Sequence, residues 1–271
     1  MESIKVKAGC IGTGVMGSAL MEAVIRVVGG SSVAVCDADS LKAEAFCAKT
    51  GSVHLPTNSA VASAADYVFL AVKPQFLSPV LAEIAPVLDA DTVIVSMAAG
   101  VSIETLAAAL GGHRKIIRIM PNTPAAVSAG MIAVSVSPAV SDGELVELER
   151  LLSRAGLCER TPEALMDAVT AVSGSGPAYG YLFIDALADA AVHMGMNRQQ
   201  ALRYAAQTLK GAAEMVLTTG SNPSVLKDGV CSPSGTTIAA VRTLEAKGFR
   251  SAIIEAALAA WDRSRALGNP K

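Results

Sequence analysis

Two stretches of this 271-residue chain carry residue types and spacings that can do chemistry. The first is Gly12-Thr13-Gly14-Val15-Met16-Gly17, with the spacing G-x-G-x-x-G. Gly12 permits a tight turn, Gly14 lets a pyrophosphate approach the backbone, and Gly17 lets a helix pack close to a strand. A helix opening there presents free N–H groups and a positive dipole end to phosphates. The apolar run Val6 to Ile11 before it, and the helical spacing of Leu20, Met21, Val24, Ile25 and Val28 after it, supply the strand–turn–helix context that the motif needs. A strand–helix turn without a ligand is the competing assignment. The second stretch is Ser232-Pro233-Ser234-Gly235-Thr236-Thr237, a hydroxyl-rich turn opening a helix. Its converging N–H groups suit a carboxylate, and Thr237, about one turn into the helix, can reach the same ligand. A capped helix start that binds nothing fits the same pattern.

Between these stretches lie the elements that must position them. Ser32–Cys36 reads as a second strand, ended by Asp37. An acid at that place accepts hydrogen bonds from adenosine ribose hydroxyls and repels a 2′-phosphate. Asp37 also fits the N-cap region of a helix carrying Leu41, Ala45 and Phe46. Further strands are expected at Val53–Leu55, Tyr67–Val72, Thr92–Met97, Lys115–Met120, Met131–Val136 and Gly156–Arg160. Helices are expected between most of them, including Gln75 to Val87 and a capped one from Ser141 to Ala155. Strands alternating with helices predict an α/β fold with an open, doubly wound, mostly parallel sheet of Rossmann type. Ligands on such sheets sit beyond the carboxyl ends of the strands. That brings three loops to one rim: Gly12–Gly17, Ala71-Val72-Lys73-Pro74, and Met120-Pro121-Asn122-Thr123-Pro124. Lys73 is the basic side chain in those loops, and a solvated strand end explains it as well as a ligand contact does.

After Thr161-Pro162-Glu163 strand-like runs stop. Pro162–Ser173, Ala178–Met194, Asn197–Leu217, a short helix from Asn222-Pro223, Ser234–Ala246 and Phe249–Leu267 predict an all-α second domain. Residues 1–161 and 162–271 are therefore expected as two domains. Ser173-Gly174-Ser175-Gly176-Pro177 is expected to break or kink the helix.

Composition narrows the classes. A net charge of −2 gives no field to recruit nucleic acid or an acidic membrane. The charge-free stretch Ile119–Ser141 holds Pro121, Pro124 and Pro138 and does not read as a membrane helix. The start of the chain lacks signal-peptide features, so a cytoplasmic protein is expected. Five cysteines without C-x-x-C spacing argue against a disulfide framework or a zinc site. His54, His113 and His193 fall outside the three loops, and no Ser-His-Asp spacing, H-E-x-x-H or Walker loop occurs. A site without a general acid suits hydride transfer to a C=N bond that is already protonated.

Over almost its whole length the chain resembles the pyrroline-5-carboxylate reductase family. The resemblance is carried by IGTGVMG, FLAVKPQ, the MPNTP loop, AVSGSGPAY, DALADA, LKDGVCSPSGTTI and LEAKGFRSAIIEA in this order. It implies NAD(P)H-dependent reduction of 1-pyrroline-5-carboxylate to L-proline, the last step of proline biosynthesis. It also implies roles by position. Gly12, Thr13, Gly14, Val15, Met16 and Gly17 would hold the pyrophosphate. Asn58 and Ala71, Val72, Lys73 and Pro74 would line the ribose and nicotinamide side. Met120, Pro121, Asn122 and Thr123 would pack near the nicotinamide. Ser232, Gly235, Thr236 and Thr237 would hold the substrate, with Thr237 on the imine nitrogen. The helical domain would form an intertwined homodimer, often built into a ring of dimers, and the substrate pocket would lie between one subunit's nucleotide domain and its partner's helices.

Three departures from the family pattern stand out. Asp37-Ala38 replaces the Asn-Arg or small polar residues that suit NADPH, which leans this chain toward NADH. Ser234 replaces a glycine of SPGGTT. The acid and histidine that often precede L-K-D are absent from Thr218-Thr219-Gly220-Ser221-Asn222-Pro223. Alternative readings are a β-hydroxyacid dehydrogenase-like enzyme, with Lys210 or Lys227 as acid–base group, a reductase of another cyclic imine, and a nucleotide-binding protein without turnover.

Overall fold

The structure is a computed structural model and describes residues 4–268. The chain forms two compact units, Met1–Gly174 with Ala260–Lys271, and Ser175–Ala259.

The first unit is built on eight strands: β1 (Val6–Ile11), β2 (Val33–Cys36), β3 (Val53–His54), β4 (Ala65–Leu70), β5 (Val93–Ser96), β6 (Ile116–Met120), β7 (Gly130–Val136) and β8 (Gly156–Arg160). Their order is β3-β2-β1-β4-β5-β6-β7-β8. All neighbours are parallel except β6 and β7. The segment joining β6 to β7, Pro121 to Ala129, is too short for the crossover that a parallel partner requires. The six helices between strands are α1 (Val15–Val28), α2 (Ser40–Thr50), α3 (Asn58–Ala64), α4 (Leu77–Ile84), α5 (Ile103–Ala109) and α6 (Asp142–Leu152), followed by α7 (Met166–Val169).

Strand residues alternate between two buried layers. Tyr67, Phe69, Val93, Val95, Ile117 and Ile119 pack with Leu20, Val24, Phe46 and Leu148 of α1, α2 and α6. Val68, Leu70, Ile94 and Ile116 pack with Val61, Leu81, Ile84 and Leu106 of α3, α4 and α5. Burial on both faces explains why these strands read as continuous apolar runs. The expected strand Tyr67–Val72 lies two residues earlier, because pairing with β1 runs Val6↔Ala65 to Ile11↔Leu70 and ends with β1. That shift frees Ala71 to Pro74 for the rim. Helix α1 starts at Val15, directly after its N-cap Gly14. The capping box of α6 forms between Ser141 and Glu144.

One buried charge ties β6 to the segments around it. Arg118 on β6 is 5% exposed, and its guanidinium donates to Glu163 at 3.2 Å. The same Glu163 oxygen accepts the Ile103 amide at 2.7 Å, at the start of α5. Removing Glu163 leaves Arg118 buried without its counter-charge. Glu163→Ala is expected to cost about 2–3 kcal/mol, below the range for a fully enclosed pair because Glu163 itself is partly exposed. Urea unfolding checks this, and Arg118→Met combined with Glu163→Leu is expected to recover most of the loss.

The segment Thr170–Gly174 forms a π-helical turn between α7 and the next helix, so the expected kink is a local widening of the helix. The second unit contains α8 (Gly176–His193), α9 (Arg198–Thr219), α10 (Pro223–Val230), α11 (Thr236–Ala246) and the start of α12 (Phe249–Gly268). Helices α8 and α9 meet through Ala188, Ala201 and Ala205. Much of the remaining apolar surface is open: Leu182 is 73%, Leu217 75% and Val230 66% exposed. No helix among the described residues is long and apolar enough to cross a membrane.

Candidate functional site

The glycine turn is shaped by close approach. Gly12 has φ +102°, donates its amide to Cys36 O at 2.8 Å, and a Cβ there would lie 2.8 Å from Ala71 O. A Cβ on Gly17 would overlap the Gly12 carbonyl oxygen and come within 2.9 Å of Ala71 Cβ. Gly14 is different, because nothing lies within 4 Å of its Cβ position. Helix α1 has no side-chain cap, so its first amides remain available to an anion. Two glycines thus serve the chain, while the space over the third is left for a ligand.

Asp37 stands at the end of β2, as expected, and is tied to this turn. Its Oδ2 accepts the Thr13 amide at 2.6 Å and the Thr13 hydroxyl at 3.0 Å, and its Oδ1 accepts the Asp39 amide at 3.0 Å. Partial burial alone would raise its pKa. The Asp39 and Thr13 donors outweigh this and hold the carboxyl below its ordinary value. Asp39, not Asp37, is the N-cap residue of α2.

A cleft of about 700 Å³ opens beside the turn. Of the predicted residues, Gly12, Gly14, Asp37, Asn58, Ala71, Val72 and Lys73 line it. Thr13 and Gly17 are buried beneath, Val15 is 79% exposed, and Met16 and Pro74 flank it without lining it. Met120, Pro121, Asn122 and Thr123, at the end of β6, are on the same carboxyl rim of the parallel strands but outside the lining of this cleft. Met120 packs with Ala133 and Met166. The Asn122 amide donates to Ser173 O at 3.1 Å, and its oxygen accepts the Met131 amide at 2.9 Å. Asn122 therefore holds the loop's own shape.

The lining also includes residues to which the sequence assigns no site role, among them Lys42, Phe76, Pro79 and Glu83. Lys42 is the cation facing the acid end of the cleft, 3.4 Å from Asp39. It lies in the first turn of α2, and that proximity to Asp37 was the available signal. Glu83 comes from the far end of α4, where nothing in the local sequence marks it.

In the second unit, Ser232, Gly235, Thr236 and Thr237 form one turn. Gly235 donates to Ser232 O at 3.0 Å and is the N-cap of α11, without a side-chain cap. The helix begins at Thr236, so Thr237 sits in its first turn, closer to the free amides than expected. A Cβ on Gly235 would overlap Ser232 Oγ. Ser234 adopts φ +60°, a left-handed conformation that disfavours a side chain. Ser234→Gly is expected to raise stability by up to about 1 kcal/mol, the relief of that strain being offset in part by glycine's greater freedom when unfolded. Thermal unfolding checks the sign.

Lys227 is exposed and bonded to Asp228 at 2.9 Å, which holds its pKa above the ordinary value. A lysine so held is a poor proton shuttle.

Comparison with known proteins separates the chain into two matched stretches. Residues 163–267 match the family described as pyrroline-5-carboxylate reductase dimerisation. Residues 7–100 match NADP oxidoreductase coenzyme F420-dependent. The pyrroline-5-carboxylate reductase of Escherichia coli is 45% identical over 264 residues, covering 96% of this chain and 98% of that one. The Synechocystis enzyme of the same name is 42% identical over 98% of this chain and 99% of its own. Among solved structures, Plasmodium falciparum pyrroline carboxylate reductase with NADP bound superposes with a TM-score of 0.87 at 30% identity, covering 97% of this chain and 98% of that one.

Proposed function

Because the chain belongs to the pyrroline-5-carboxylate reductase family, we propose that it reduces 1-pyrroline-5-carboxylate to L-proline with NAD(P)H, the final step of proline biosynthesis. The observation that carries this reading is 45% identity along 96% of the chain. The residues suit the coenzyme, since the space over Gly14 and the uncapped start of α1 form a cradle that a side chain would fill. When bound, the reduced nicotinamide supplies the hydride for the imine carbon.

The protein's part is to bind and orient. The first-turn amides of α1 and the Gly12–Gly17 backbone hold the pyrophosphate. Asp37, Asn58 and Ala71–Pro74 take the adenosine ribose and the nicotinamide side, and Met120–Thr123 pack near the nicotinamide. Ser232, Gly235 and Thr236 hold the substrate carboxylate against the start of α11. The Thr237 hydroxyl bonds the ring nitrogen and fixes the face of the imine. Positioning and a fixed electrostatic frame then do most of the catalytic work. The substrate enters as an iminium, so no side chain has to deliver a proton to it. The functional division is taken as residues 1–161 for the coenzyme and 162–271 for substrate and subunit contacts.

Open apolar side chains on α8 to α12 and the match to a dimerisation family support a homodimer. Further assembly into a ring of dimers is proposed, and light scattering tests it by whether the mass is a multiple of the dimer. A cytoplasmic setting is proposed as well, since the five cysteines are free.

Asp37 leans the coenzyme choice toward NADH, with Lys42 in the same cleft as the opposing charge. The experiment is steady-state oxidation of NADH and NADPH in parallel with 1-pyrroline-5-carboxylate. Turnover is expected with both and a higher kcat/KM with NADH. No turnover with either overturns the reductase reading. A clear NADPH preference overturns the role given to Asp37 alone.

A further inference from the structure

We propose that Glu83 is a positioning residue for the coenzyme, acting by locking the side chain of Asn58 into one orientation at the wall of the cleft. The inference rests on the coenzyme reading of that cleft and adds a residue to it. Glu83 lies near the end of α4 and Asn58 at the start of α3, and both line the cleft. Glu83 Oε2 accepts from Asn58 Nδ2 at 2.6 Å. On the opposite side, Cys36 Sγ donates to Asn58 Oδ1 at 3.2 Å.

An amide can flip by half a turn, exchanging donor and acceptor, and here each end is specified by a group that accepts only one answer. The Glu83 carboxylate only accepts. The Cys36 thiol stays protonated: burial pushes it up to about 12, with Glu83 and Asp37 adding to the shift. The carbonyl oxygen is thereby held toward β2 and the NH2 toward α4. Each end keeps one further hydrogen-bonding position for a ligand. A bond to a charged partner also holds the rotamer more firmly than a neutral one.

Glu83 also fastens α3 to α4 through Ser59, whose amide reaches Oε1 at 3.3 Å and whose hydroxyl donates to Glu83 O at 3.0 Å. A purely structural role would rest on those bonds, so the test has to separate the two. Titration of NADPH fluorescence and steady-state kinetics are run on the full chain and on Glu83→Ala, Glu83→Gln, Asn58→Ala and the Asn58→Ala/Glu83→Ala double variant.

Glu83→Ala is expected to raise Kd and KM for the coenzyme about tenfold, with kcat and the KM for the imine within about twofold of the parent. Glu83→Gln, which keeps an acceptor for Asn58, is expected to recover most of the affinity. The double variant is expected to bind no more weakly than Asn58→Ala alone. Unchanged coenzyme affinity in Glu83→Ala overturns the proposal. So does a full additive loss in the double variant, which assigns the effect to helix fastening. The Kd readout needs no turnover, so an inactive parent protein counts against the reductase reading and leaves this test decisive.

Discussion

Gly17→Ala is expected to abolish useful coenzyme binding and to lower stability, whereas Gly14→Ala is expected to weaken coenzyme binding alone. At Gly17 the new methyl meets the Gly12 carbonyl and Ala71, both held by backbone bonds: Gly12 N–H to Cys36 O at 2.8 Å and Ala71 N–H to Ile11 O at 2.9 Å. Neither can retreat without opening the sheet end. Overpacking of this kind costs about 1–3 kcal/mol, and displacement of α1 from the turn removes the amides proposed to hold the pyrophosphate. A loss of at least about a hundredfold in coenzyme affinity follows if about 3 kcal/mol of that geometry is lost. At Gly14 the methyl points into open space, so only the ligand meets it. Melting temperature and NADPH titration for the two variants separate the cases. Equal stability of Gly17→Ala and parent would refute the packing argument.

Thr237→Val is expected to lower kcat/KM for the imine by about a hundredfold while coenzyme affinity and melting temperature stay near those of the parent. Valine keeps the shape and removes the hydroxyl proposed to bond the ring nitrogen. Loss of one preorganised hydrogen-bonding partner at a reacting centre costs about 10²–10³ in rate. Thr237→Ser retains the group and is expected within about tenfold of the parent, the added rotamer freedom being its cost. Lys227→Ala is expected within about twofold, because that side chain is exposed and paired to Asp228. The reverse pattern, with Lys227 essential and Thr237 dispensable, would favour the hydroxyacid dehydrogenase-like chemistry.

How far the site was legible depended on whether a residue's role is local. Gly12, Gly14 and Gly17 sit in one strand–turn–helix unit, and a motif exposes them, although Ala71 from the end of β4 also crowds Gly12 and Gly17. The Ser232–Thr237 turn is also local. Its helix starts at Thr236, two residues later than the residue pattern predicts, because the left-handed Ser234 is a backbone state, not a composition. Asn122 and Asp37 read as ligand contacts in the sequence, yet the bonds they make here are internal, to Ser173 and Met131 and to Thr13 and Asp39. Loop asparagines and aspartates commonly serve the backbone first.

The amino-acid sequence by itself determined the alternation of strands and helices, the glycine turn, the helical second half and the family. Each is written in residues close together along the chain, where apolar period and turn chemistry act directly. Only the tertiary structure decided which side chains converge. The buried pair of Arg118 with Glu163 and the meeting of Asn58 with Cys36 and Glu83 at one cleft wall join residues 22 to 45 positions apart. Those meetings are set by strand order and by the register of helices packed over the sheet, which no local pattern encodes.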